Sequence, residues 1–272
     1  MRFAKPLMTV LFVVVLVLVG VGYTRFYEVL HITPLNFAAA RDQVVPHIQV
    51  VWPRGDGPHP AVLMFHGCGG VKPALLTRAG EFAELGYAAV VIDSFKGRNI
   101  DWQRVCDGEI LFGDQRAVDV LIGLDFVRRD TRFDPGHLFL AGYSHGGWTV
   151  LESVFYNGEL PRGLLNAPDA SLDGVRGVVA WYPYCGLVAR FRRGWQAQLP
   201  ILMLLAGEDQ ITPAQPCVDV ARSMAEAGRP VDWRVFEDAA HGFDTTHDWV
   251  RGYDAEIHAR ARAIQEEFLD AH

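Results

Sequence analysis

Short apolar segments alternate with longer amphipathic segments along most of this chain of 272 residues. Short apolar runs bounded by turn residues are typical of buried strands, whereas apolar positions repeated every three to four residues indicate helices. We predict strands at 47–52, 61–65, 87–92, 137–141, 177–182, 201–206 and 231–236, helices at 75–85, 114–129, 213–227 and 254–269, and a long loop at 93–113. This alternation favours the α/β class, with one mostly parallel central sheet and helices on both faces.

The N-terminus has a different pattern and predicts a hydrophobic helix within residues 1–25. Arg2 and Lys5 precede an uninterrupted apolar run. Such a run forms an uncleaved membrane anchor at 7–23, the core of a cleaved signal peptide, or a buried helix. Positive charge before the run predicts that the domain formed by 26–272 lies outside the cytoplasm, on the periplasmic or secreted side. The membrane would then be contacted only through the N-terminal segment.

Charge and composition exclude several classes of protein. The chain has 25 Lys and Arg residues against 32 Asp and Glu residues and no basic cluster, so we predict no nucleic-acid partner. Half of the residues are hydrophobic, which favours a globular domain over disorder. Neither the histidines nor the cysteines have metal-ligand spacing, so we predict no metal site.

Positions 138–147 combine a predicted strand, a tight turn and the start of a helix. Positions 142–146 fit the pattern G-x-S-x-G, in which a serine stands on a sharp turn at the carboxyl end of a strand. The glycines leave room for the turn, and the helix then begins beside the serine hydroxyl. Ser144 is therefore the candidate nucleophile, and the alternative is an incidental serine in a tight turn.

Two later loops supply an acid and a base in the chain order serine, acid, histidine. Asp209 follows the predicted strand 201–206 and is the candidate acid, with Glu208 as its rival. His241 follows the last predicted strand and would take the proton from Ser144, while Asp209 would fix the imidazole tautomer. A carboxylate in this place could instead cap the next helix.

The glycine-rich segment after the predicted strand 61–65 is the expected place for an oxyanion hole. Glycines let main-chain N–H groups approach a substrate oxygen. The candidate donors are the amides of Cys68, or of a direct neighbour within 67–69, and of His145, and the alternative is a glycine turn with no chemical role.

The four cysteines allow three pairings. We predict Cys68–Cys106, because these residues lie on neighbouring loops at one sheet edge, and Cys185–Cys217, because these residues follow the strands that flank the acid loop. Such bridges are expected in an exported protein. A nucleophilic role for Cys68 is the alternative.

Two further groups can be interpreted from their positions. Arg116 and Asp119 lie one turn apart on a predicted helix and are expected to form a structural ion pair. A set of aromatic residues near the candidate site is interpreted as core and pocket wall, or as a platform for an aromatic substrate: Trp148, Trp181, Tyr182 and Tyr184.

These motifs together resemble the dienelactone hydrolase family over roughly residues 45–270. The resemblance rests on HGCGG at 66–70, GY at 86–87, DSF at 93–95, GYSHGG at 142–147, GED at 207–209 and HGF at 241–243. It implies an α/β-hydrolase fold with little or no lid, and hydrolysis of esters or lactones without a cofactor. The best-known members use a cysteine nucleophile and carry a glutamate in the early loop. This chain has Ser144 at the nucleophile position and His66 and Cys68 in that loop.

The favoured function is hydrolysis of a small carboxylic ester or lactone through an acyl-serine intermediate. A peptidase or acyltransferase of the same fold is an alternative, which a large lid insertion would favour, and the chain contains no such insertion. A non-catalytic binding protein of this fold is a second alternative. It would require a broken triad, and here all three residue types are present.

Overall fold

A computed structural model describes residues 4–25, 27, 32–195, 197–245 and 252–272. The strands are β1 (Gln49–Val51), β2 (His59–Phe65), β3 (Ala88–Ile92), β4 (Phe133–Tyr143), β5 (Val175–Trp181), β6 (Ile201–Ala206) and β7 (Val231–Phe236). The helices are α1 (Ala4–Arg25), α2 (Phe37–Val44), α3 (Pro73–Glu84), α4 (Trp102–Cys106), α5 (Gly113–Arg116), α6 (Val118–Arg128), α7 (His145–Tyr156), α8 (Ala214–Glu226) and α9 (Ala255–Ala271). Short 3-10 segments are Val45–His47, Lys96–Arg98 and Arg190–Arg193.

The seven strands form one sheet in the order β1-β3-β2-β4-β5-β6-β7. β1 pairs antiparallel with β3, and the other pairings are parallel. Parallel neighbours need crossover connections, which the intervening helices supply. The predicted mostly parallel sheet of the α/β class is confirmed, with strand ends that differ from the prediction by a few residues.

Both faces of the sheet are buried. Along β2, Leu63 and Phe65 belong to one hydrophobic cluster, whereas Val62 and Met64 belong to another. The first cluster includes side chains of α6 and α7, and the second includes side chains of α3 and α9. Because successive strand residues point to opposite faces, a strand covered on both faces must be apolar at every position. This explains the continuous apolar runs in the sequence.

The segment 93–129 differs from its prediction. The expected helix 114–129 is divided into α5 and α6, and the expected loop before it contains α4. Asp114 is not the N-cap of α5, because that helix begins after Phe112, whose N–H donates to the Gln115 side chain at 2.8 Å. Asp114 is instead buried and accepts a hydrogen bond from Arg190 Nε at 2.9 Å.

The N-terminal helix α1 has apolar side chains that are more than half exposed, such as Leu11 and Leu18. In the part of the chain that the structure describes, no helix is both long and apolar enough to cross a membrane. The predicted membrane anchor is therefore not supported. Arg2, from which its orientation was partly predicted, lies outside the described residues.

Two disulfides are formed with the predicted pairing. Cys68–Cys106 joins the loop after β2 to α4, and Cys185–Cys217 joins the segment after β5 to α8. Cys68 therefore carries no free thiol, which removes it as an alternative nucleophile. Disulfides persist mainly in oxidising compartments, so two of them are typical of a protein located outside the cytoplasm.

Candidate active site

Ser144 stands on a strained turn between β4 and α7. Its φ of 55° and ψ of −114° place a non-glycine residue in a sparsely populated backbone region. A Cβ atom at Gly142 would overlap the main chain of Gly146, and one at Gly146 would overlap the Phe65 carbonyl group. Both glycines of the pattern are therefore required by close backbone approach, as the sequence predicts.

The loop after β2 lies beside this turn because Phe65 pairs with Gly142 across the sheet. A Cβ atom at Gly67 would lie 3.6 Å from the Ser144 Cβ atom. His145 is the first residue of α7, so its amide has no acceptor within the helix. The structure thus brings the segment before Cys68 close to Ser144, and His145 follows Ser144 directly in the chain.

His241 bridges Ser144 and Asp209. Its Nε2 atom lies 2.9 Å from Ser144 Oγ, and its Nδ1 atom lies 2.7 Å from Asp209 Oδ2. Because a carboxylate accepts a hydrogen bond, Nδ1 carries the proton, and Nε2 is left to accept one from the serine hydroxyl. Three residues that are far apart in sequence therefore form one hydrogen-bonded chain at the carboxyl edge of the sheet.

Asp209 is held as an ionised acceptor. Its Oδ1 atom accepts the main-chain N–H groups of Ile211 at 2.9 Å and Thr212 at 2.8 Å. Burial alone would raise the pKa of Asp209, but the hydrogen bonds from His241 and these two amides lower it below its usual value. Glu208, the rival acid, is exposed. The geometry therefore distinguishes the two neighbouring carboxylates clearly.

Thr212 and Tyr182 support this arrangement, although no local pattern of residues predicts a role for Thr212. The Thr212 hydroxyl lies 3.0 Å from Asp209 Oδ2 and 3.1 Å from the Tyr182 carbonyl oxygen. The Tyr182 ring packs edge-on against His241, with centroids 4.7 Å apart, and its φ is 36°. A residue held at positive φ beside the imidazole is a further strained position at this site.

A cavity of about 480 Å³ opens onto Ser144 and His241. Apolar side chains on its wall include Leu75 and Ile211. Its buried charges are paired, because Arg78 lies 3.4 Å from Asp244 Oδ2, and Tyr182 donates to Asp244 Oδ1 at 2.6 Å. The cavity therefore offers a mainly apolar volume of small-molecule size next to the hydroxyl.

A family model of the dienelactone hydrolase family matches residues 48–272. The chain belongs to the dienelactone hydrolase family. Among curated proteins, no sequence match was found.

Solved structures share the fold of this dienelactone hydrolase family member. A Klebsiella pneumoniae protein assigned to the dienelactone hydrolases superposes with a TM-score of 0.66 at 16% identity, covering 83% of this chain and 92% of its own. The apo form of Thermogutta terrifontis esterase 2 gives a TM-score of 0.63 at 18% identity, with 82% and 88% covered. The butyrate-bound form of that esterase gives 0.60 at 18% identity, with the same coverage. These likenesses and the family match confirm the α/β-hydrolase fold.

The aromatic set divides between core and cavity in this family member. Tyr182 lines the cavity. Trp181 is fully buried within the hydrophobic core, and Trp148 packs against Tyr184 with centroids 4.7 Å apart. The set is therefore core and pocket wall rather than an aromatic platform.

Arg116 does not pair with Asp119, which corrects the sequence prediction. Asp119 is bound in bidentate fashion by Arg98, at 2.6 and 2.8 Å. Arg116 is fully buried beneath the early loop, where its Nη1 atom donates to the His66 carbonyl oxygen at 2.8 Å and lies 3.1 Å from His145 Nδ1. The expected local ion pair does not form because each of its members binds a partner that is more distant in the sequence.

Two buried imidazoles flank this arginine. Burial, followed by the charge of Arg116, lowers the pKa of His145 to about 3 and holds that of His66 well below its usual value. Both rings are therefore neutral at physiological pH. Across the described ranges, His, Cys, Asp and Glu side chains form no group of three that could hold a metal ion.

Proposed function

We propose that this protein is a serine hydrolase that cleaves small carboxylic esters or lactones through an acyl-Ser144 intermediate. The observation that supports this most directly is the hydrogen-bonded chain from Ser144 through His241 to Asp209 at the mouth of the cavity. Membership of the dienelactone hydrolase family supports hydrolysis of an ester or lactone.

In the first half-reaction, Ser144 Oγ attacks the carbonyl carbon while its proton passes to His241 Nε2. Asp209 stabilises the imidazolium that forms. The carbonyl π electrons move to the oxygen, then return as the C–O bond to the alcohol breaks, and His241 gives its proton to the leaving alkoxide. In the second half, water attacks the acyl-serine in the same way and releases the acid and the Ser144 hydroxyl.

The amides of Cys68 and His145 are the proposed oxyanion donors. Both lie on segments beside Ser144, and one of them opens helix α7. A preorganised donor of this kind contributes about 2.7–4 kcal/mol to stabilising the transition state. Together with the imidazole base, two such donors supply a large part of the rate enhancement expected of an esterase.

The cavity suits an uncharged acyl group. Its wall is mainly apolar, and the Arg78–Asp244 pair leaves no unpaired charge from those two groups. Thermogutta terrifontis esterase 2, which shares the fold, has been solved with bound butyrate and propionate. We therefore expect an optimum among short p-nitrophenyl esters.

The decisive experiment compares p-nitrophenyl ester turnover, from acetate to octanoate, in wild type, Ser144→Ala and Ser153→Ala. Ser153 is a buried serine on the same helix whose hydroxyl donates to the Val150 carbonyl oxygen, so it is a matched control. We expect Ser144→Ala to lose at least about 10⁴-fold in kcat and Ser153→Ala to remain near wild type. Equal turnover by Ser144→Ala and wild type would refute the nucleophile assignment.

Covalent labelling gives a second measure. Esterase 2 from Thermogutta terrifontis has been solved phosphorylated by paraoxon. Paraoxon should add one diethylphosphoryl group to the peptide that contains Ser144, and none to Ser144→Ala. If peptide mass spectrometry finds the label on another residue, that residue would be the nucleophile.

The two disulfides support a site of action outside the cytoplasm. Thiol alkylation of the protein isolated from its native compartment, under denaturing and non-reducing conditions, should find no free thiol. Four alkylated cysteines would place the protein in a reducing compartment instead.

A further inference from the structure

Arg116 is a buried cation close to the candidate site. Its side chain is fully buried, and its Nε atom donates to Ser94 Oγ at 2.8 Å. Within the described residues no carboxylate forms an ion pair with it, since Asp119 is bound by Arg98. Among the same residues, its Nη2 atom has no hydrogen-bond partner.

Burying a cation in this way is costly. An ion taken out of water loses several kcal/mol unless a counterion and hydrogen bonds compensate. Burial lowers the pKa of Arg116 to about 10, against the opposing effect of Asp119, so the guanidinium stays charged at neutral pH. The neighbouring His66 and His145 rings are neutral there. A purely structural role would be served better by an apolar side chain or a direct ion pair.

Arg116 contacts both segments that supply the proposed oxyanion donors, the loop after β2 and the start of α7. Its Nη1 atom holds the carbonyl of His66, two residues before Cys68, whose amide is one proposed donor. The same atom donates to the ring of His145, whose amide is the other donor. The guanidinium is thus a single rigid group that ties the early loop to the first residue of α7.

We propose that Arg116 is a positioning residue for the oxyanion hole, a role that rests on the proposed function. It fixes the relative orientation of the Cys68 and His145 amides, and its positive charge favours the negative charge that develops on the carbonyl oxygen. It contacts the two donor segments and not the substrate. Its removal should therefore affect the transition state more than substrate binding.

The test measures kcat and KM for wild type, Arg116→Gln and Arg116→Lys on the best p-nitrophenyl ester. Misplacement of reacting groups by about 1 Å costs about 10²-fold in rate, so we expect a loss of that order for Arg116→Gln with KM changed by less than about threefold. Arg116→Lys keeps the charge but loses the planar fork, and should lose about tenfold.

A trifluoromethyl ketone provides the readout that a merely structural role would not change. Its serine adduct carries an oxyanion, so its Ki should rise by the same factor as kcat falls. The affinity for the matching alcohol product should stay within about threefold. Equal losses in both affinities would indicate general damage and would overturn the positioning role.

Arg41→Gln is the control, since it removes an arginine whose partner is Asp125 on α6, and Asp125 keeps a second partner in Arg129. It should lower the melting temperature and leave kcat within about threefold. If Arg116→Gln does not fold, Ser94→Ala removes one of the arginine's acceptors and should lower kcat several-fold. Wild-type kcat in both Arg116→Lys and Ser94→Ala, with Ser144→Ala inactive, would overturn this inference alone. An active Ser144→Ala variant would instead refute the proposed function.

Discussion

The two disulfides provide a matched pair of perturbations with different expected effects on activity. Cys68–Cys106 fastens the loop that carries a proposed oxyanion amide. Cys185–Cys217 joins the segment after β5 to α8. Replacing each pair by two alanines, Cys68→Ala/Cys106→Ala and Cys185→Ala/Cys217→Ala, removes one constraint at a time and leaves no unpaired thiol behind.

The loss of stability should be nearly equal in the two variants. With sequence separations of 38 and 32 residues, the loop-closure entropy corresponds to about 3.9 and 3.7 kcal/mol at 25 °C. The difference of about 0.2 kcal/mol is below what denaturant unfolding resolves. The two variants are therefore matched in stability, and a difference in activity must come from the local effect of each bridge.

The activities should differ. Loss of the Cys68–Cys106 bridge frees the early loop, and loss of one oxyanion donor costs about 10²–10³-fold in kcat, so a loosened donor should cost at least about tenfold. Asp209 keeps its hydrogen bonds to the Ile211 and Thr212 amides without the other bridge. The Cys185→Ala/Cys217→Ala variant should therefore stay within about threefold of wild type.

Urea unfolding followed by fluorescence would give the free energies of unfolding, and p-nitrophenyl ester turnover below the unfolding transition would give kcat. Dithiothreitol reduces both bridges, so in wild type it should lower kcat by the same factor as the Cys68→Ala/Cys106→Ala variant and lower the free energy of unfolding further. Equal kcat values in both double variants, at equal stability, would refute the assignment of the early loop to the oxyanion hole.

Three further predictions follow from single contacts. Thr212→Val removes the hydroxyl beside the candidate acid and should lower kcat about tenfold, whereas Thr212→Ser should restore it. Burial raises the pKa of Glu152 from 4.5 to about 7 despite its bonds from Trp148 and a main-chain amide, so the contribution of this residue to stability should fall as the pH rises from 4.5 to 7, whereas the buried neutral histidines act in the opposite direction. In urea unfolding, the free energy of unfolding of wild type relative to Glu152→Gln should therefore fall by about 3 kcal/mol as the pH rises over that range, and a difference that does not change with pH would contradict this. Gly146→Ala should cost at least about 2 kcal/mol and most of the activity, whereas Gly80→Ala on α3, with open space around it, should be neutral or stabilising.

Much of the fold and the central part of the site could be predicted from local constraints. The strands were recognisable because both faces of the sheet are covered, which makes their apolar runs continuous. Ser144 was recognisable because the close approach of β2, β4 and α7 requires glycine at positions 142 and 146. Asp209 and His241 were then identified by chain order, which the topology of the sheet imposes.

The parts that sequence could not predict depend on contacts between distant segments. Thr212 reaches His241 across 29 residues, and Arg116 reaches the His66 carbonyl across 50. No periodicity or spacing marks such pairs. The same cause explains the errors: Asp114 looked like a helix cap but is bound by Arg190, 76 residues away, and Arg116 lost its expected partner to Arg98.

The charges around the nucleophile agree with a serine in this position. Members of the family that use cysteine carry a glutamate in the early loop, where this chain has the uncharged segment 66–70. A carboxylate there would repel the oxyanion that forms when a hydroxyl attacks a carbonyl carbon. In the proposed mechanism the proton of Ser144 goes to His241, and the charged group behind the loop is the Arg116 guanidinium, whose sign favours the oxyanion. The uncharged loop and the buried arginine therefore act in the same direction in that mechanism, because both favour a negative charge on the substrate oxygen.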